Sequence, residues 1–214
     1  MDVYKTEDEQ VEALKKWWEE NGKSIVAGVV LGLGAIFGWR AWQEFDRQQM
    51  EAASILYQNL NNLAVEEENN QNEINVISDK IVEDYGSTSY AVFARLSQAK
   101  LAVDHKDYQA AADHLRWALE NNDEMSIDHL IRLRLARVLA AMKQFDEALN
   151  VLDVTDKGEF DTSYDEVKGD ILLARGDIES ARDSYQMAIV KKRSANLDVS
   201  VLEMKLDDLG RIEQ

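Results

Sequence analysis

The 214-residue chain contains no cysteine and no proline. Lack of cysteine excludes a disulfide, a thiol nucleophile and a zinc–thiolate site. It fits an oxidising compartment, although many cytosolic chains share it. Lack of proline leaves helices without their strongest breaker. A long chain of this kind, rich in Ala, Leu, Glu, Gln and Lys, reads as all-α. Positive charge is scarce: 24 Lys and Arg face 41 Asp and Glu, for a net charge of -17. So acidic a surface repels phosphate, which argues against nucleic acid as a partner. Only three histidines occur, His105, His114 and His129, and none forms an HxxxH or HExxH pattern. Metal binding is therefore not expected. GxSxG, GxxxxGK(S/T) and GxGxxG are also missing. The many carboxylates read as solvated faces, so neither an enzyme nor a cofactor is expected.

What the chain does have is one apolar run. Ile25 to Trp39 is fifteen residues without a charge, and extending it to Trp42 gives eighteen with Arg40 inside. A bilayer core of roughly 30 Å needs about 20 largely apolar helical residues. Arg40 stands at the end of the run, where its side chain can reach the headgroups. Trp39 and Trp42 mark one interface, and Trp17 and Trp18 lie before the other. A core helix would carry polar residues on one face, and Ile25–Trp39 has none. A cleaved export signal needs small residues after the run. Here Trp39-Arg40-Ala41-Trp42 follows instead. The reading is an uncleaved transmembrane anchor over 24–42.

Lys5, Lys15, Lys16 and Lys23 precede the span, and Arg40 and Arg47 are the cations that follow it closely. This bias places the N-terminus in the cytoplasm. Residues 43–214 hold 19 Lys and Arg against 34 Asp and Glu, and are expected in the periplasm. Gly28 and Gly32, and Gly34 and Gly38, make two GxxxG pairs suited to close helix packing in a membrane. Before the span, Thr6-x-x-Glu9 forms a capping box, and Val11, Leu14 and Trp18 recur at helical spacing. Residues 1–23 are expected as a short amphipathic helix at the cytoplasmic interface.

The remainder repeats. Ala99, Ala136 and Gly169 are each followed twelve residues later by Ala111, Ala148 and Ala181. Four further on stand Leu115, Leu152 and Tyr185; three before each alanine stand Tyr108, Phe145 and Ile178. Polar turns separate the halves: His105-Lys106-Asp107, Met142-Lys143-Gln144 and Arg175-Gly176-Asp177. Small residues allow two helices to cross closely, and large ones fill the space between successive pairs. One pair cannot bury its apolar face alone, so pairs stack into a solenoid. The spacing resembles the tetratricopeptide repeat, although its Trp and Pro positions are unfilled. Residues 43–63 and the helix ending near Tyr85-Gly86 make a degenerate first pair, with an Asn/Glu-rich break at Glu66–Glu73. Residues 197–209 look like a terminal capping helix.

Such a solenoid holds partners on the concave face formed by the first helices. That register puts Phe93, Leu96, Lys100 and Val103 there from the first pair. It adds Leu133, Arg137 and Ala140 from the second, and Asp170 and Leu173 from the third. The floor is apolar with mixed charge. The Lys/Asn clamp by which some such domains grip a C-terminal carboxylate is not evident.

Three stretches carry a further likeness: "DEQVEALKKWWEENGKSIVAGVVLGLGAIFGWRAW", "YQNL" at 57–60 and "IRLRLARVLAAMKQFDEAL" at 131–149. With them the chain resembles the YfgM family, ancillary subunits of the bacterial SecYEG translocon. The resemblance covers essentially the whole chain. It implies a single-span cell inner membrane protein with a periplasmic tetratricopeptide-like domain. It also implies association with the translocon and with the membrane-anchored periplasmic chaperone PpiD, and handling of newly translocated, unfolded clients. Two readings stay open: a translocon accessory that contacts clients, and an adaptor in envelope stress signalling that binds one folded partner.

Overall fold

Local preference and tertiary packing agree over most of the chain. The computed structural model describes residues 7–65 and 70–212, and among these no strand occurs. Thr6 of the capping box and residues 66–69 of the Asn/Glu-rich break lie outside the described residues. The helices are α1 (Glu7–Val65), α2 (Gln71–Tyr85), α3 (Ser89–Asp104), α4 (Tyr108–Glu120), α5 (Met125–Ala141), α6 (Phe145–Val151), α7 (Asp161–Arg175), α8 (Ile178–Ser194) and α9 (Ser200–Ile212). One 3-10 turn, Gly158–Phe160, precedes α7.

The chain divides into two compact units, the first ending at Glu51 and the second starting at Ala52. In the first unit, residues 9–23 do not form a helix of their own. They run into the apolar stretch as part of α1. The helix is long and apolar enough to cross a membrane, and none of its apolar window is buried. That apolar stretch is therefore not part of a core among the described residues. Trp39 and Trp42 touch, with ring centroids 5.1 Å apart. At the other end Trp18 lies over Gly22, where a Cβ would stand 3.0 Å from the ring. A Cβ on Gly28, Gly32, Gly34 or Gly38 would meet nothing within 4 Å, so no contact among the described residues requires glycine there.

The second unit is a stack of helical pairs. Leu60 from the end of α1 packs with Ile74 and Ile81 of α2 and Ala91 and Ala94 of α3. The central core runs from α3 to α7 and includes Leu115, Ile131, Leu139 and Ile171. A third cluster joins Leu172, Tyr185, Leu202 and Leu209. The small residues stand where pairs cross: Ala111, Ala136, Ala148 and Ala181 are all 0 % exposed. At the third crossing the pattern changes in two places at once. Gly169 replaces alanine, and Tyr185 replaces the leucine of the other pairs. A Cβ on Gly169 would sit 2.5 Å from the Tyr185 ring, so the larger ring and the missing methyl belong together.

The three intra-pair turns share one geometry. Lys106, Lys143 and Gly176 all have positive φ, at 62°, 62° and 97°. In each, the residue after it donates its N–H back across the turn: Asp107 to Ala102 O, Gln144 to Leu139 O and Asp177 to Leu172 O. Lys106, Lys143 and Gly176 donate to Val103, Ala140 and Leu173 O. This is the Schellman arrangement, which satisfies the last helical carbonyls. In the first turn Asp107 also caps α4, accepting from Ala110 N–H at 3.1 Å.

The second pair departs from expectation. Its second helix, α6, ends at Val151, and Leu152 is the residue that caps it. Leu152 still reaches the core at 5 % exposure. The polar Asp153–Gly158 segment then leads to α7. The capping helix begins at Ser200 and continues to Ile212.

Candidate partner-binding groove

A concavity of about 320 Å³ opens between α3 and α5. Leu96, Ala99 and Val103 of α3, Leu115 of α4 and Val138 of α5 make its apolar wall. Lys100, Arg134 and Arg137 stand on it as cations. This volume falls at the lower end of the roughly 300–1,000 Å³ typical of ligand-holding clefts. The sites have one cause. On a helix, residues three and four apart share a face. Leu96, Lys100 and Val103 make such a row on α3; Arg134, Arg137 and Val138 make the facing row on α5.

The structure brings Leu96, Lys100, Val103 and Arg137 together in this groove. Leu133 instead belongs to the central core at 4 % exposure, and Phe93 and Ala140 pack against that core. Phe93 also meets the Tyr57 and Tyr90 rings at 5.8 and 6.4 Å. Asp170 and Leu173 are not in the groove. Leu173 packs against the C-terminal cluster. Asp170 accepts from Tyr185 Oη at 2.8 Å and from Lys205 Nζ at 2.7 Å. The Lys205 side chain of α9 thus covers the position that the first two pairs leave open.

Electrostatics hold that closure. Burial disfavours charge on Lys205. Its bonds to Asp170 and Glu166 (3.0 Å) outweigh this and keep its pKa above the ordinary lysine value. Burial likewise pushes Glu166 up, but Lys205 and Lys192 more than offset it and hold the carboxyl low. The Tyr185 hydroxyl is pushed up, first by burial and then by its bond to Asp170.

Sequence spacing missed Arg134, which stands one turn before Arg137 on the same face of α5. It also missed the link between α5 and α7. There His129 Nδ1 and Tyr164 Oη share a buried hydrogen bond of 2.9 Å, with Phe160 against the imidazole at 5.3 Å. Burial raises the Tyr164 pKa to about 12. His129 is therefore a satisfied core residue that ties the second pair to the third.

Stacked pairs crossing at small residues define a tetratricopeptide-like protein, and the tetratricopeptide repeat-like domain family matches residues 15–211. The similarity to individual proteins runs nearly end to end. A Haemophilus influenzae protein named ancillary SecYEG translocon subunit is 34% identical over 208 residues, covering 97% of this chain and 100% of that protein. The Escherichia coli protein of that name is 33% identical over 211 residues, covering 98% and 100%. One from Neisseria gonorrhoeae is 29% identical over 212 residues, again covering 98% and 100%. The chain belongs to this family of ancillary SecYEG translocon subunits. No solved structure matches it.

Proposed function

We propose that the protein is a membrane-anchored accessory subunit of the Sec translocon that works by holding other proteins and has no catalytic chemistry of its own. Residues 24–42 cross the inner membrane, with 1–23 in the cytoplasm and the body from 43 onward in the periplasm. The Gly28/Gly32 and Gly34/Gly38 face meets a translocon helix. The body works with a PpiD-type chaperone on newly translocated, unfolded chains, using the groove on α3 and α5. The observation that carries this reading is the nearly full-length similarity to proteins named ancillary SecYEG translocon subunit. It is supported by an apolar helix with none of its apolar window buried.

The test is in-cell photo-crosslinking of the full chain from Gly32 in the span and from Leu96 and Arg137 in the groove. Adducts from Gly32 to translocon subunits, with groove adducts to a chaperone or to nascent chains, are expected. A single folded groove partner without any translocon adduct from Gly32 would replace this reading with that of an envelope-stress adaptor.

A further inference from the structure

Carboxylates outnumber cations heavily in the body, so a basic side chain there has partners close at hand. Most have taken one. Arg95, Arg116, Arg132, Arg175, Lys191 and Lys205 all sit in ion pairs. Among the body's cations whose side chains are described, those with neither a side-chain hydrogen bond, an ion pair nor a ring beneath them are Lys100, Lys106, Arg134, Arg137, Lys143 and Lys168. All but Lys168 lie on α3, on α5 or on the turns that end these two helices. Three of the six, Lys100, Arg134 and Arg137, line one apolar concavity of an otherwise acidic protein.

The third pair shows what fills such a position when the chain itself supplies the partner. There the equivalent residue is Asp170, and Lys205 of α9 is bonded to it. At the first two pairs the equivalent residues, Lys100 and Arg137, are exposed cations with no ion pair among the described residues, so their positions stay open to an acidic partner.

Resting on the partner-holding reading above, we propose that the groove receives an acidic–apolar polypeptide segment. One large apolar side chain enters the space between Leu96, Val103, Leu115 and Val138. Asp or Glu side chains flanking it pair with Lys100, Arg134 and Arg137. Three cations call for more than one carboxylate, which favours side chains within a segment over a single chain terminus. Arginine suits this task because its planar fork pairs with a carboxylate bidentately. The net negative charge of the rest of the body disfavours highly acidic chains at a distance, so the groove selects segments with a few well-placed carboxylates rather than polyanions.

The test uses the full chain in lipid nanodiscs and short, end-blocked peptides with one leucine between glutamates. The glutamate peptide binds, and its glutamine analogue binds about tenfold or more weakly. Arg137→Gln and Lys100→Gln each weaken the glutamate peptide by about tenfold, leave the glutamine analogue unchanged and leave the melting temperature in place, because neither side chain is bonded in the fold. Higher salt weakens binding of the glutamate peptide and not of its analogue. Equal binding of the two peptides would overturn the proposal in favour of a purely apolar groove. So would recruitment by phosphatidylglycerol vesicles through Lys100 and Arg137 without peptide binding. If Gly32 still crosslinks to the translocon while these peptide results fail, the segment chemistry is wrong and the accessory reading stands. If the Gly32 adducts are lost, the accessory reading itself falls.

Discussion

The two units use the same apolar residue types in opposite ways. In α1, Val30 is 62 % and Leu31 73 % exposed, whereas Ile131 and Leu139 in the body are 0 % exposed. In the body, apolar side chains gain by leaving water for one another. In the apolar window of α1 none of them is buried among the described residues, so a medium such as a bilayer is what would cover them. Residue type therefore does not separate the units; the partner of each apolar face does.

This contrast can be broken from either side. Leu31→Arg places a charge in the run at a cost of about 2.5–3.5 kcal/mol for insertion. The protein is then expected to lose resistance to alkaline extraction from membranes, with the melting temperature of the body unchanged. Leu139→Ala should do the reverse, removing about 2–5 kcal/mol from the body in denaturant unfolding while membrane retention is kept. If either substitution moves both readouts, the units are not independent.

Within the body, the third crossing can be set against the other two. Gly169→Ala forces a methyl into the Tyr185 ring and should cost about 1–3 kcal/mol. Adding Tyr185→Leu should recover part of that loss, so the double variant is less destabilised than the sum of the singles. Strict additivity would show that the glycine and the ring are unrelated.

The closed end can be set against the open groove by pH. Glu166 has a lowered folded pKa, so its contribution is present above the ordinary 4.5 and is lost as pH falls through the folded value. Lys205 has a raised one, so its contribution is present below the ordinary 10.5 and is lost as pH rises through the folded value. Protection of α9 amides from hydrogen exchange should thus be greatest between these limits. Lys205→Met should flatten the profile, and parallel profiles would count against the ion pairs as its cause.

The smallest effect concerns the turns. Lys106 and Lys143 hold the left-handed conformation that Gly176 adopts freely. Lys143→Gly should gain about 0.5–1 kcal/mol, and Gly176→Lys should lose a similar amount. Calorimetric melting of the two variants would show whether the three turns are equivalent.

Much of this fold is legible from spacing alone. Ala99 to Ala111, Ala136 to Ala148 and Gly169 to Ala181 reveal the crossings because the helix period and one short turn fix where two helices meet. Of the groove, Leu96, Lys100, Val103 and Arg137 follow from the same register. Other features depend on residues far apart in the chain. Asp170 reads as a groove residue until Lys205, 35 positions later, bonds to it. His129 reads as an isolated histidine until Tyr164, also 35 positions later, reaches it.

The sequence by itself determined the helices, the pairing and the one uncharged apolar run, because each follows from local periodicity and composition. Only the tertiary structure decided which concave positions stay open. That depends on which charge of a distant helix arrives at each site, and local spacing carries no record of it. At Asp170 a lysine arrives and covers the position; among the described residues no carboxylate reaches Lys100 or Arg137, and the groove remains.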